Sequence, residues 1–180
     1  MKYWIRIRNF FYLKYLENKM RTIKAKRIIT NYKNAKTIGI LYDSSPSYAD
    51  AIIKKFAQTL CADGKTVSVL AFLNDSKIDH KPDIDLFNKK ALNWILVPTH
   101  VNIDKFTAQN FDLLIACIIT ENLPLEYVVR TSNAKWRVGS YAENKTDHYE
   151  LMINLDGKDD LSYFLQQTLF FLNKIDYDSK

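Results

Sequence analysis

The feature that most constrains this fold is a repeated alternation, from residue 37 onward, of short apolar runs with amphipathic or polar segments. The apolar runs predict strands at 37–42, 66–72, 93–97, 111–119, 136–140 and 150–155. Apolar residues at helical spacing predict helices at 48–61, 123–132 and 159–175. The polar segment 74–90 is predicted to be a long loop. Near-continuous apolar strands between helices are typical of a parallel sheet that is covered on both faces.

We therefore expect an α/β fold, a Rossmann-like or flavodoxin-like three-layer sandwich with a mostly parallel sheet of five to six strands, plus an N-terminal helical extension. The first 35 residues differ from the rest in charge. They hold ten Lys or Arg and one acid, a net charge of +9, whereas the other 145 residues hold 16 bases and 19 acids, a net charge of −3. The predicted division is a basic, aromatic-rich helical arm at 1–35 and a Rossmann-like domain at 36–180.

The arm contains seven of the 24 aromatic residues and neither Gly nor Pro, so helix is expected from residue 1 to about residue 32, in one piece or two. Its bases suit contact with phosphates, and its aromatic rings suit stacking on unpaired bases. We expect RNA or a ribonucleoprotein as the partner, with an anionic membrane surface or a protein as alternatives, and simple packing on the domain as another. The candidate partner-binding residues are Arg6, Arg8, Lys14, Lys19, Arg21, Lys24, Lys26, Arg27, Trp4, Tyr12 and Tyr15.

Several classes of protein are disfavoured by what the sequence omits. The four glycines form no dinucleotide-binding or phosphate-loop motif, and no Gly-flanked nucleophile is present. No cofactor and no metal site is expected, because there is no Cys pair or His cluster at ligand spacing. Cys61 and Cys117 are expected to be small buried hydrophobes in a reducing compartment. With no apolar run long enough to span a membrane and no export signal, a cytoplasmic protein is predicted.

Polar side chains cluster where predicted strands end, which is where open α/β sheets bind ligands. Asp43, Ser44 and Ser45 follow the first strand, and Thr120 and Asn122 follow the fourth. They can bind a sugar or a phosphorylated ligand, or they can simply cap the following helices. In a catalytic alternative, His100 would serve as a general base oriented by Glu121. The interpretation that we favour assigns no catalytic residue. For the polar residues at the strand ends, helix capping is the alternative to ligand binding.

Three segments resemble the acceptor-binding N-terminal half of heptosyltransferase-type glycosyltransferases: 111–115, 123–127 and Ser132–Gly139, which resembles that family's Ala-Lys-x-Arg-Ile-Gly strand. The first strand at 37–42, with Ser44, Ser45 and Asp50, resembles the family's first strand and Ser-Ser-Leu-Gly-Asp turn. The resemblance implies a Rossmann-like fold, a sugar-like ligand and Asp50 as catalytic base. This chain has room for one of the family's two Rossmann-like domains.

Taken whole, the chain resembles a family of about this length whose function is undescribed. The Ser-Asn-Ala-x-x-Arg-Val-Gly segment at 132–139 and the Leu-Met-Ile strand at 151–153 carry this resemblance, which implies no activity. The sequence therefore predicts a non-catalytic binding protein whose basic N-terminal helix docks on an anionic partner. The alternative is a glycosyltransferase-like domain, or a remnant of one, that binds a sugar or a phosphorylated ligand at the strand ends.

Overall fold

The computed structural model describes residues 2–23, 25–29, 31–76 and 84–175. Short 3-10 turns lie at Lys89–Ala91 and Glu143–Lys145. The main elements, in chain order, are α1 (Lys2–Arg21), β1 (Thr37–Asp43), α2 (Ala49–Ala62), β2 (Thr66–Leu73), β3 (Asp85–Asn88), α3 (Val101–Ala108), β4 (Leu113–Cys117), α4 (Leu123–Thr131), β5 (Arg137–Ser140), β6 (Leu151–Ile153) and α5 (Leu161–Lys174).

The six strands form one all-parallel sheet in the order β3-β2-β1-β4-β5-β6. This confirms the expected α/β fold. The order is that of the Rossmann fold and not that of flavodoxin. β4 is buried along its whole length and β1 at every position except its two ends, because helices cover both faces of the sheet.

The two faces of the sheet carry separate apolar cores. One core joins the sheet to α1, α3 and α4 and is centred on residues such as Leu41, Leu114, Phe106 and Val128. The other joins the sheet to α2 and α5 through residues such as Ile53 and Phe164. The result is the three-layer sandwich that the apolar strands predict.

The N-terminal helix is shorter than predicted. α1 ends at Arg21, not near residue 32, and it packs against the domain through Tyr12 and Leu16, whose side chains are 3% and 1% exposed. The described residues after it do not form a helix, because Ile28 donates its backbone N–H to the carbonyl of Lys135 (2.9 Å). Tertiary hydrogen bonds therefore override the helical propensity of this segment. Among the described residues, no helix combines the length and apolarity needed to cross a membrane.

The third strand was misplaced by the sequence pattern. β3 occupies 85–88, inside the segment predicted as a loop, while the predicted strand 93–97 is a tight turn. The Asn93 side-chain oxygen accepts from the backbone N–H groups of Ile95 and Val97 (both 3.0 Å), and Leu96 adopts a left-handed φ of 64°. Ile95 and Val97 are buried, so their apolarity reflects core packing and not an extended strand.

Candidate functional site

The carboxyl ends of β1 and β4 lie side by side at the point where the strand order reverses, which is where ligands bind in open α/β sheets. Asn122 joins the two ends: its Nδ2 donates to Oδ2 of Asp43 (3.1 Å). The Asn122 Oδ1 accepts from the backbone N–H of Leu125 (3.3 Å) and so caps α4. The structure thus brings together two of the predicted ligand-binding residues and also gives Asn122 its helix-capping role.

The polar residues after β1 bond mainly to one another. Asp50 accepts hydrogen bonds from the hydroxyls of Tyr42 (2.8 Å) and Ser44 (2.6 Å). Ser45 Oγ accepts from the backbone N–H of Asn74 (2.8 Å), which ties the loop after β1 to the end of β2. Burial, reinforced by Asp50, raises the pKa of Tyr42, so its hydroxyl stays protonated and continues to donate. These bonds shape the loop, and α2 begins after Tyr48 without a side-chain cap.

The suggested catalytic pair, His100 and Glu121, is not assembled. His100 caps α3, its Nδ1 accepting from the backbone N–H of Asn102 (3.2 Å). Within the described part of the chain, no hydrogen bond or ion pair links His100 to Glu121, and both side chains are exposed. Thr120 is also exposed, beside a small hollow of about 110 Å³ that it shares with Asp43 and Cys117. Burial raises the pKa of the Cys117 thiol, which keeps it protonated and unreactive. Cys61, in contrast, is exposed on the outer side of α2, so its predicted burial is wrong.

A larger depression of about 640 Å³ lies at the carboxyl edge of the sheet, between α1, the end of β2, the 89–97 segment and the start of α4. We call it the carboxyl-edge cleft. It brings Arg8 of the N-terminal arm into the same depression as Asn122, one of the predicted ligand-binding residues, an arrangement that the sequence did not predict. The lining side chains that bear charge, an aromatic ring or an amide include Arg8, Lys89, Trp94, Glu121 and Asn122.

Most of the predicted partner-binding residues are exposed, whereas Tyr12 and Arg27 are engaged in the fold and Arg8 is half-buried in the carboxyl-edge cleft. Trp4, Tyr15 and five bases are exposed, and no carboxylate of a described residue lies within ion-pair distance of those five. Tyr12 is buried and donates its hydroxyl to the carbonyl of Leu123 (2.9 Å), so its ring is not open to stacking. Lys24 lies outside the described residues. The exposed bases are Arg6, Lys14, Lys19, Arg21 and Lys26.

Arg27 also turns inward. Its guanidinium donates to the carbonyls of Ala134 and Ser132 and lies 4.0 Å from the carboxylate of Glu150. Burial, together with the nearby Arg137, lowers the pKa of Arg27 to about 10. Arg27 therefore stabilises the loop before β5 through these hydrogen bonds, and its charge is not free to bind a partner.

A second depression of about 760 Å³, which we call the amino-edge groove, lies between the end of α1 and the ends of α3 and α4. Lys19, Lys26 and Lys135 line it, and Asp104 is the acid among its lining residues. The Lys135 Nζ pairs with Asp112 (2.8 Å), while Lys19 and Lys26 have no such partner among the described residues. The groove thus extends the basic surface of α1 onto the domain.

A set of buried charges beside α4 was not identified from the sequence. Lys145 pairs with Glu126 (2.6 Å) and Arg137 with Glu150 (2.7 Å), and all four side chains are mostly buried. Tyr149, in the same segment, packs over Gly139, where a Cβ would overlap its ring. These contacts hold the 143–150 segment against the sheet, so we assign them a structural role. No group of three or more potential metal ligands occurs within the ranges that the structure describes.

The fold and the site together define an all-parallel α/β domain of Rossmann strand order, with a basic helix packed on one face and a cleft at the carboxyl edge. Residues 8–175 match a family of unknown function, DUF6913, and the chain belongs to that family. A search of curated proteins returned no match. The family membership expected from the Ser132–Gly139 and 151–153 segments is thus confirmed.

Proposed function

We propose that this protein is a non-catalytic binding protein whose basic helix α1 docks on RNA or a ribonucleoprotein. The observation that carries this proposal is the set of unpaired bases on α1 that continues into the amino-edge groove, where Lys19 and Lys26 lie together. Uncompensated Lys and Arg side chains along one surface are what the phosphate backbone of a nucleic acid recognises.

The aromatic residues of α1 add a second component of RNA recognition. Trp4 is 73% exposed, and Tyr15 is exposed while one side of its ring faces Tyr127 at a centroid distance of 6.3 Å. Rings held on a folded helix lose little entropy when bases stack on them, which is the usual basis of binding to single strands. Because Tyr12 and Arg27 are engaged in the fold, the proposed surface consists of the outer side of α1 and the groove.

An anionic membrane surface is the second candidate. It is favoured by the exposed aliphatic residues Ile5, Ile7 and Leu13, since stacking on bases does not account for aliphatic side chains. Apolar and aromatic side chains beside Arg and Lys are characteristic of helices that lie in the headgroup region of a bilayer.

The experiment compares the wild type with a variant in which Arg6, Lys14, Lys19 and Arg21 are replaced by Glu. Fluorescence anisotropy with a labelled single-stranded RNA is measured over a range of salt concentrations. Wild-type affinity should fall steeply with salt, and the variant should lose most binding, with a log–log slope smaller by about 3 if four phosphate contacts are lost.

The matched control replaces four exposed lysines elsewhere, Lys54, Lys55, Lys90 and Lys105, by Glu. It makes the same charge change and should retain most of the binding if the surface on α1 is specific. Equal loss in both variants would reduce the effect to net charge, and salt-insensitive or absent wild-type binding would rule out RNA. Binding to vesicles with anionic lipid but not to RNA would select the membrane candidate.

A further inference from the structure

We propose that the carboxyl-edge cleft binds a nucleoside phosphate. This site is separate from the proposed RNA surface, because it lies on the opposite edge of the sheet from the amino-edge groove and uses different side chains. Its volume of about 640 Å³ is within the range of small-molecule sites, roughly 300–1,000 Å³. The cleft also adjoins the β1–β4 switch point, where open α/β sheets bind ligands.

Two cations from separate elements supply the attraction for a phosphate group. Arg8 enters the cleft from α1, and Lys89 enters from the 3-10 turn after β3. The Arg8 Nε is buried and has no hydrogen-bond partner among the described residues. A guanidinium donates through a planar fork that suits two phosphate oxygens, whereas the exposed Lys89 ammonium acts as a mobile point charge. Because both cations line the same cleft, an anionic ligand bound there would be attracted by both charges.

Trp94 supplies a flat surface for a nucleobase. Its side chain is 63% exposed at the rim of the cleft, and its ring meets that of Phe11 edge-on at a centroid distance of 5.6 Å. The turn that carries Trp94 is held by the Asn93 side chain, which accepts two backbone hydrogen bonds. These bonds keep the turn in a conformation in which Leu96 has a left-handed φ. Strain of this kind persists where the surroundings enforce it and is concentrated at binding sites. A large exposed ring on a rigid turn is a suitable stacking platform.

Glu121, just before α4, provides a hydrogen-bond acceptor for the ribose that joins the base to the phosphate in a nucleotide. The Glu121 carboxylate is exposed and lines the cleft, so it can accept hydrogen bonds from ribose hydroxyls. Asn122 fixes this segment through its bonds to Asp43 and to the N-terminus of α4. Because Glu121 would repel a second anionic group nearby, a ligand with hydroxyls on one part and phosphate on another fits better than a polyphosphate alone.

The test is tryptophan fluorescence during titration with AMP, GMP, CMP and UMP in separate experiments, and with inorganic phosphate as a partial probe. A Trp4→Phe background removes the other exposed indole, and Trp136 is 1% exposed, so ligand-induced quenching reports on Trp94. Saturable quenching by at least one mononucleotide is expected, with a dissociation constant below about 1 mM, and phosphate alone should bind more weakly. No saturable signal, together with no heat in calorimetry, would overturn the proposal.

Matched variants locate the site. Lys89→Ala should weaken the binding of that mononucleotide about tenfold, whereas Lys90→Ala, one residue along the same turn but outside the cleft, should not. Trp94→Ala should weaken binding about as much as Lys89→Ala; because this variant lacks the fluorescent reporter, its affinity is measured by calorimetry and its folded state is checked by circular dichroism. Equal effects of the two lysine variants would show nonspecific attraction and contradict the assignment.

A pair of arginines on α1 separates this proposal from the RNA proposal. Arg8→Ala should weaken mononucleotide binding and leave most RNA binding intact, while Arg6→Ala, on the exposed side, should have the opposite pattern. RNA binding without mononucleotide binding would overturn the proposed nucleotide site and leave the proposed RNA binding by α1 intact. Mononucleotide binding without RNA binding would overturn the RNA proposal and support the nucleotide site.

Discussion

The helices α1 and α5 use their apolar residues in opposite ways. α5 has 14 residues and buries five of them against the sheet, with Phe170 and Phe171 as its large exposed hydrophobics. α1 has 20 residues, buries Tyr12 and Leu16, and exposes eight large apolar side chains. The composition of α5 follows from the need to cover the sheet. Core packing explains only a narrow stripe of α1, and the rest of its apolar and basic surface is the part that the proposed docking on a partner would cover.

The largest expected effect is in α5. Phe164 is completely buried, so Phe164→Ala should lower the free energy of unfolding by about 3–5 kcal/mol through lost burial and the cavity left behind. Phe170→Ala, on the exposed side of the same helix, should change it by less than about 0.5 kcal/mol. Urea denaturation followed by circular dichroism measures both. Similar costs at the two positions would mean that the exposed side of α5 is also covered by something.

On α1 the same comparison is made with two leucines three residues apart. Leu16→Ala should cost about 2–4 kcal/mol, because the side chain is 1% exposed, whereas Leu13→Ala should be nearly neutral because half of its surface is exposed. Hydrogen exchange of the α1 amides, measured alongside the unfolding curves, shows whether Leu16→Ala releases the helix locally. A neutral Leu16→Ala would show that α1 is not docked on the domain in solution.

The smallest effect concerns a single hydrogen bond. Tyr12→Phe removes the bond to the carbonyl of Leu123 and keeps the ring, so the loss should be about 1 kcal/mol. Tyr3→Phe is the control, because Tyr3 is 79% exposed and its variant should be indistinguishable from wild type in stability. Thermal unfolding of the two variants and the wild type gives the difference. A Tyr12→Phe variant as stable as wild type would mean that water replaces the lost donor.

Much of the fold was readable from the sequence because apolar periodicity reports burial. The near-continuous runs at β1 and β4 correctly indicated a parallel sheet covered on both faces. The same signal failed at 93–97, because a buried turn and a buried strand show the same apolar content and only the hydrogen bonds of Asn93 distinguish them. β3 was missed for the converse reason: it is a short edge strand of four residues in a polar stretch.

The candidate sites were readable only in part. The strand-end residues Asp43 and Asn122 were identified because parallel strands end at one edge, and they do meet. The position of Arg8 in the same cleft as Asn122 could not be predicted, since nothing local specifies which face of the sheet a distant helix covers. Tyr12 and Arg27 were assigned to a partner for the same reason, because a buried and an exposed side chain of the same type look alike in a sequence.

What the sequence determined alone was the class of fold, the excess of positive charge at the N-terminus and the polar strand ends, since periodicity, charge and strand direction are local or additive properties. What only the tertiary structure decided was the docked position of α1, the rigid turn beneath Trp94 and the two depressions at opposite edges of the sheet. These depend on contacts between residues far apart in the chain, where many weak packing and hydrogen-bond terms compete and only the folded arrangement shows which contacts form.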